Sequence, residues 1–380
     1  MSTSGAEPPH AVHGMALEEV EPDWPPLTDN EIHALFERVG APLAGLPPAE
    51  AKIVWHSPRP FSAAALVRLP GAGTIVVKRH HVNVRDAVAL AREHDFMSWL
   101  AERGQPVARP LAPPLEEGPY SYEILATVPG EDRYRNEWSW TPFLSRGDAA
   151  AAGRALARVH LAAEGYDAPA RTPAPLFASQ AVITAPDPVD AIAALAAERP
   201  ALGDYLARHE WRDELAEDLS TAHDLARPHL EELHPLWAHN DWHGSNLFWT
   251  PGTVDPPEVT GIIDFGLCNR TSAVYDLATA IERSCIGWLQ PAGARPVHVD
   301  QATALIAAYR SVRPLAPGSL TALDHVLPIV HVEYALSEID YFHGVVASGP
   351  NADLAYRDFL IGHLRWFTGE EGRAFRAAIG

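Results

Sequence analysis

Apolar positions along the chain change their period several times, and each change marks an element. Thr28-Asp29-Asn30-Glu31 offers a helix cap, and Ile32, Leu35, Phe36 and Val39 recur at helical spacing before Gly40 stops the pattern. From Ala51 to Val77 the pattern becomes strand-like. K-I-V-W-H, A-A-A-L-V-R-L and T-I-V-V-K are separated by S-P-R-P-F-S and by P-G-A-G, the second a hairpin turn. A helix over Val84–Arg103 follows, with Ala87, Leu90, Ala91, His94, Phe96, Met97 and Leu100 populating broad apolar and polar faces and Gly104 closing it. V-A-R-P-L-A-P-P-L is extended, and Y-S-Y-E-I-L-A-T-V-P-G contains a further strand that Pro129-Gly130 ends. Residues 131–236 read mainly as helices, with P-A-R-T-P-A-P and Pro186-Asp187-Pro188 as loops. Two short strands come next, Leu247-Phe248-Trp249 and Val259 to Ile263, on either side of the loop T-P-G-T-V-D-P-P. Helices are expected again over Tyr275–Trp288, Gln301–Arg310 and, unbroken, Leu323–Phe342. The fold class is therefore α+β: an acidic, Pro-rich extension and short helix over 1–45, a β-rich segment over 46–128 and a larger helical segment over 129–380. The first 25 or so residues read as a flexible or draped extension.

Composition narrows the function more than the fold. Hydrophobic residues make up 47% and charged residues 21% of the 380 positions, as in ordinary globular proteins. Asp and Glu number 49 against 29 Lys and Arg, a formal charge of −20, which argues against nucleic acid or an anionic membrane as main partner. A cationic or amine-bearing substrate is compatible. Cys268 and Cys285 are too few for a disulfide framework and read as buried thiols. No apolar run approaches the ~20 residues that span a bilayer, and no signal-peptide pattern is present. A cytoplasmic protein is expected.

Chemistry concentrates between Trp237 and Phe265. W-A-H-N-D-W-H-G-S-N places His239, Asp241 and Asn246 in an H-x-D-x-x-x-x-N spacing, and I-I-D-F-G brings Asp264 after the loop. The five-residue step from Asp241 to Asn246 is that of the kinase catalytic loop, where Asp receives the acceptor proton and Asn binds magnesium. A hairpin would bring Asn246 and Asp264 to one end, where hard oxygen ligands suit magnesium and a phosphate chain. The same stretch also admits a hydrolytic metal centre built from His239, Asp241, His243 and Asp264. That alternative leaves Asn246 idle. A kinase additionally requires a lysine on a strand and a glutamate on the following helix, and Lys78 and Glu93 occupy those positions.

Taken in order, T-I-V-V-K, A-R-E-H-D-F, E-I-L-A-T-V-P-G, G-R-A-L-A-R-V-H, H-N-D-W-H-G-S-N, I-I-D-F-G and V-Y-D-L-A resemble the aminoglycoside phosphotransferase (phosphotransferase enzyme) family over roughly residues 50–345. The stretch from Ile263 to Arg283 is most similar to the homoserine-kinase-like branch. The resemblance implies a bilobed protein-kinase-like fold, with a small β-rich nucleotide-binding lobe and a larger helical lobe. It implies ATP and Mg2+ as cofactors and a small-molecule hydroxyl acceptor. Asp241 would be the catalytic base, Asn246 and Asp264 the magnesium ligands, and Lys78 the phosphate contact held by Glu93. The Ala126 carbonyl and Val128 N–H would meet adenine, while His239 and Asp276 would support the loop. Two departures stand out. Asn240 replaces the family's usual glycine, which requires a residue that tolerates positive φ. S-P-R-P-F-S-A lacks a Gly-x-Gly, so Ser57, Ser62 and nearby amides would have to cover the γ-phosphate.

For the acceptor, Asn269, Arg270, Glu282 and Trp288 are the wall residues that the resemblance implies. Tyr334, Glu338 and Tyr341 fall on one helix face, where a carboxylate between aromatic rings suits an ammonium group, although a partly buried helix face reads equally well. Trp138 and Trp140 read as packing residues. A small-molecule kinase for an amine- or amino-acid-bearing alcohol leads. A protein Ser/Thr kinase of the family's stress-response branch, the metal-dependent hydrolase and an inactive binding module are the alternatives.

Overall fold

The computed structural model describes residues 12–15, 18–40, 50–252, 254–289 and 295–380. Most of the Pro-rich start, residues 41–45 and the loop residue Thr253 lie outside the described residues. The chain divides into two compact units, residues 1–91 with 109–127 and residues 92–108 with 128–380. Residues 92–108, grouped with the first lobe on sequence, thus cluster with the second unit.

The first unit is built on an antiparallel sheet of five strands. β1 (Val12–His13) and β2 (Glu19–Val20) form a small ribbon of their own, and α1 spans Asp29–Val39. The sheet contains β3 (Lys52–His56), β4 (Ala63–Leu69), β5 (Gly73–His81), β6 (Leu115–Glu117) and β7 (Tyr120–Ala126), in the order β3-β4-β5-β7-β6. α1 starts where its sequence says it should: the Thr28 side chain accepts from the Glu31 N–H, and Gly40 ends it at φ +62°. Ile32, Leu35 and Phe36 of α1 join Val67, Val77 and Ile124 of the sheet in one core. Strand alternation then puts Lys78 on the other face, directly opposite Glu123 of β7. The described part of the extension is docked rather than loose. The His13 N–H donates to the Pro58 carbonyl at 2.8 Å, and Trp24 stacks on His81 at 5.2 Å.

α2 (Ala87–Glu102) is capped by Asp86, whose carboxylate accepts from the Ala89 N–H. Its last two-thirds belong to the second unit, in which helices predominate. There α3 (Arg146–Ala163) crosses α9 (Val299–Val312) closely enough that a Cβ on Gly153 would lie 2.3 Å from the Leu305 carbonyl oxygen. Only glycine allows that approach. Between them in sequence come α4 (Ala181–Thr184), α5 (Pro188–Glu198), α6 (Pro200–Leu206) and α7 (Trp211–Ala226). These are followed by β8 (Pro235–Ala238), β9 (Leu247–Trp249), β10 (Val259–Ile262), β11 (Asn269–Ser272) and α8 (Ala273–Cys285). β8 pairs with β11 and β9 with β10, all antiparallel. The chain ends in α10 (Pro317–Val326), α11 (Val332–Gly344), α12 (Gly349–Leu354), a π-helical turn, α13 (His363–Thr368) and α14 (Glu370–Ile379).

Two expectations about helices fail for reasons of proline chemistry. Pro188 does not sit in a loop: Asp187 caps α5 and Pro188 occupies its first turn, where a missing N–H costs nothing. The segment Leu323–Phe342 is two helices, because Pro328 cannot continue α10 and the chain turns before α11. Among the described residues, no helix is long and apolar enough to cross a membrane.

Candidate active site

Every residue of α8 is buried, including Asp276, Glu282 and Arg283. Charges on a helix with no solvent face need partners, and those partners define the site. Asp276 and Arg283 lie seven residues apart and so share a face. Asp276 accepts from the backbone N–H of His239 at 3.0 Å and of Asn240 at 2.9 Å, and its Oδ2 also meets His160 Nε2 at 3.0 Å. Two turns on, Arg283 forms an ion pair with Asp241. One helix face thus grips the loop at its start and at its carboxylate.

Asn240 has φ +60°, the left-handed conformation that its replacement of glycine requires. Its side chain is fully used: Nδ2 donates to the Leu267 carbonyl at 3.1 Å, and Oδ1 accepts from the Thr271 hydroxyl at 2.7 Å. His239 accepts the Asp241 N–H at Nδ1 and donates from Nε2 to the Ile263 carbonyl. Both ring nitrogens are spent on backbone, so His239 has no atom to offer a metal. The hydrolytic metal centre is set aside on this geometry.

Asp241 is also met by His243 Nε2 at 3.3 Å and by Asn246 Nδ2 at 3.0 Å. Pairing of β9 and β10 sets Ile262 opposite Leu247, and the Ile263 N–H donates to the Asn246 carbonyl at 3.0 Å. Asn246 and Asp264 therefore stand at the same end of the hairpin. Asp264 has φ +59°, uncommon for a residue with a Cβ and characteristic of strained functional turns. Glu93 is buried and accepts from Arg171 at 2.6 Å, while Arg171 also donates to the carbonyls of Gly266 and Cys268. Arg171 was missed on sequence because it lies in a Pro-rich loop with no periodicity. It ties α2 to the turn after Asp264.

The proposed acceptor residues fare unevenly. Asn269 is committed to backbone, accepting from the N–H groups of Arg171 and Arg270 and donating to the Ala178 carbonyl. Arg270 makes a surface ion pair with Asp167 at 3.2 Å. Ser57 accepts from the Arg59 N–H within its own turn. Cys268 and Cys285 are buried and not disulfide-bonded.

Arg283 changes the picture most. Its guanidinium lies 4.4 Å from the centre of the Tyr334 ring and 5.1 Å from that of Trp140. One of the two aromatic faces expected to flank a ligand's ammonium group, that of Tyr334, thus meets the protein's own cation. Trp140 packs against His331, Tyr334 and Phe359, as its reading as a packing residue expects, and also lies beside the Arg283 guanidinium. Tyr341 instead packs edge-on against Phe342. The i+7 step from Asp276 was the sequence signal for Arg283.

Burial pushes the Glu338 carboxyl from 4.5 up to about 8, against the opposing pull of Arg283. A carboxyl that binds its proton more tightly when folded loses stability as pH rises from about 4.5 to about 8, with no further change above. Glu338→Gln removes that dependence. In thermal denaturation from about pH 5 to about pH 9, the variant should gain on wild type by a few kcal/mol at the alkaline end, at ~1.4 kcal/mol per pKa unit. A gap independent of pH would contradict the assignment.

Residues 58–315, well over half the chain, match the sequence model of the phosphotransferase enzyme family. The chain belongs to that family. A homoserine kinase from Methylobacterium nodulans is 34% identical over 178 residues, covering 46% of this chain and 46% of that protein. The chain thus matches about half the length of this curated relative. The solved structure of an amicoumacin kinase in complex with AMP-PNP, Ca2+ and Ami superposes with a TM-score of 0.56 at 13% identity, over 87% of this chain and 92% of that one. That likeness establishes a kinase-like fold for this member of the phosphotransferase enzyme family.

Proposed function

We propose that this family member is an ATP- and magnesium-dependent phosphotransferase that moves the γ-phosphate to a hydroxyl of a small molecule bearing an amine or amino-acid group. The observation that carries the reading is the convergence of Asp241, Asn246 and Asp264 at one end of the β9–β10 hairpin, with Asp276 holding the backbone just before Asp241. Asn246 turns its NH2 toward Asp241, which leaves its amide oxygen, with the Asp264 carboxylate, as hard donors for Mg2+. Bound there, the ion would neutralise charge on the phosphate chain. Asp241 is the group to take the acceptor's hydroxyl proton. Lys78 is assigned to the nucleotide phosphates, with Glu93 as its brace, and the backbone of Ala126 and Val128 to the adenine.

For the acceptor, Asp241 pairs with one buried cation, Arg283, whose charge also acts on the buried carboxyl of Glu338. A zwitterionic amino-acid alcohol satisfies both: its carboxylate replaces Asp241 on Arg283, and its ammonium draws the charged form of Glu338. A neutral sugar would leave the Arg283–Asp241 pair in place and Glu338 in its protonated form, and so would not release Asp241. This also favours an acceptor that frees Asp241 only as it binds.

The test is substrate-dependent ADP release from Mg-ATP across hydroxylated amines, amino acids and sugars. Zwitterionic or amine-bearing alcohols should give the highest kcat/KM. Lys78→Ala and Asp264→Asn should each weaken metal-dependent nucleotide binding by about tenfold or more in calorimetry, at the ~1.5–3 kcal/mol typical of hydrogen bonds to charged groups. Sugars as best acceptors would overturn the acceptor class, and unimpaired nucleotide binding in both variants would overturn the nucleotide roles.

A further inference from the structure

Three ligating side chains from three separate elements meet behind α8. Glu282 of α8, His331 at the start of α11 and His363 of α13 are 0%, 5% and 3% exposed. Each offers a ligand atom within 4.8 Å of the others, the one such group of three among the described residues. Glu282 Oε1 lies 2.9 Å from His363 Nδ1 and 3.4 Å from His331 Nδ1. These separations match the ~3.3 Å edge of a tetrahedron whose metal bonds are ~2.0–2.1 Å long.

Ordinary hydrogen bonding does not account for the cluster. Both Glu282 oxygens, both His331 ring nitrogens and His363 Nδ1 lack a well-aligned partner. Leaving a buried polar atom unsatisfied costs ~1–3 kcal/mol, so a protein rarely gathers five together without a use for them. Aromatic side chains line the cluster. Trp288 stacks on His363 at 3.5 Å and donates from Nε1 to the Glu282 carbonyl, while Trp140 and Phe359 present ring edges to His331.

We propose that Glu282, His331 and His363 form a zinc site, separate from the Asn246–Asp264 pair assigned to magnesium. Two imidazole nitrogens and one carboxylate oxygen are a donor set suited to Zn2+. Magnesium and calcium would take oxygen donors instead. Each histidine offers Nδ1, and the fourth position is left for water. The ion would join α11 and α13 to α8 one residue before Arg283, and so fix the side chain that holds Asp241. It consumes no reactant and takes no part in phosphate transfer.

The full chain, expressed with supplemental zinc and dialysed against metal-free buffer without chelator, is assayed by elemental mass spectrometry. Wild type and Asp264→Asn should each carry near-stoichiometric zinc, whereas His331→Gln and His363→Gln should lose at least ninety per cent of it. Cobalt replacement of the wild-type metal should give the intense visible bands of a tetrahedral ion, and these should vanish when zinc is added back. This second arm needs no variant to fold. Wild type without zinc after titration to micromolar metal overturns the proposal. So does zinc retained by both histidine variants, or a cobalt spectrum of octahedral type.

Discussion

Asp241→Asn should lower kcat by ~10²–10⁴, the range that a positioned general base supplies, while leaving nucleotide affinity near that of wild type. The substitution keeps the shape and the contact to Asn246 but gives up the proton acceptor. It should also carry a stability cost. Arg283 is 2% exposed by its side chain and pairs with Asp241, so removing the carboxylate strands a buried guanidinium. Breaking a buried pair from one side costs up to ~3–5 kcal/mol, although Glu338 and the Tyr334 face blunt it here. The two effects separate in a double variant. Arg283→Met in the Asp241→Asn background should recover stability, measured by urea denaturation, without recovering turnover. A single variant that keeps more than about a tenth of wild-type kcat, outside the range for a lost base, removes Asp241 from the role of base.

The elements that were legible on sequence are those whose signals are local. The capped α1, the three strands leading to Lys78 and the β9–β10 hairpin rest on caps, alternation and turn residues within a few positions. The meeting of Asn246 and Asp264 at one end of that hairpin was legible too, since both flank one short loop. What escaped was non-local. Arg171 lies in an aperiodic loop 78 residues from Glu93, and no pattern in either segment announces the pair. Asn269 and Arg270 were assigned to the acceptor by their place after D-F-G, but strand pairing turned one to backbone and the other to the surface. Glu338 was assigned to a ligand's cation, whereas the nearest cation by position is Arg283 of the same chain. The sign of a pocket depends on which buried residues face one another, and α8 and α11 come together only in three dimensions. Pro328 was the local signal overlooked, and it falls in the turn that separates the two helices.

The largest effect on the fold should come from Asp276→Ala. The carboxylate is 0% exposed and serves three donors: the amides of His239 and Asn240 and the His160 ring, which itself meets the Tyr309 hydroxyl at 2.7 Å. Alanine leaves all three without an acceptor in a site that admits no solvent. At ~1–3 kcal/mol for each unsatisfied group, partly relieved by relaxation, the loss should be about 3–5 kcal/mol. That is a large share of the ~5–15 kcal/mol by which a domain is stable. The damage should also be directional. The two amides flank the left-handed Asn240, whose φ of +60° the surrounding bonds must hold in place. Without Asp276 the backbone can relax at Asn240, and Asp241 moves with it. Asp276→Asn keeps one oxygen for one amide, so it should fall between wild type and alanine in stability while still losing most turnover. Urea denaturation and steady-state kinetics on the two variants check both parts. If Asp276→Ala unfolds at the wild-type midpoint and turns over normally, the grip of α8 on the catalytic loop is not what holds Asp241 in place.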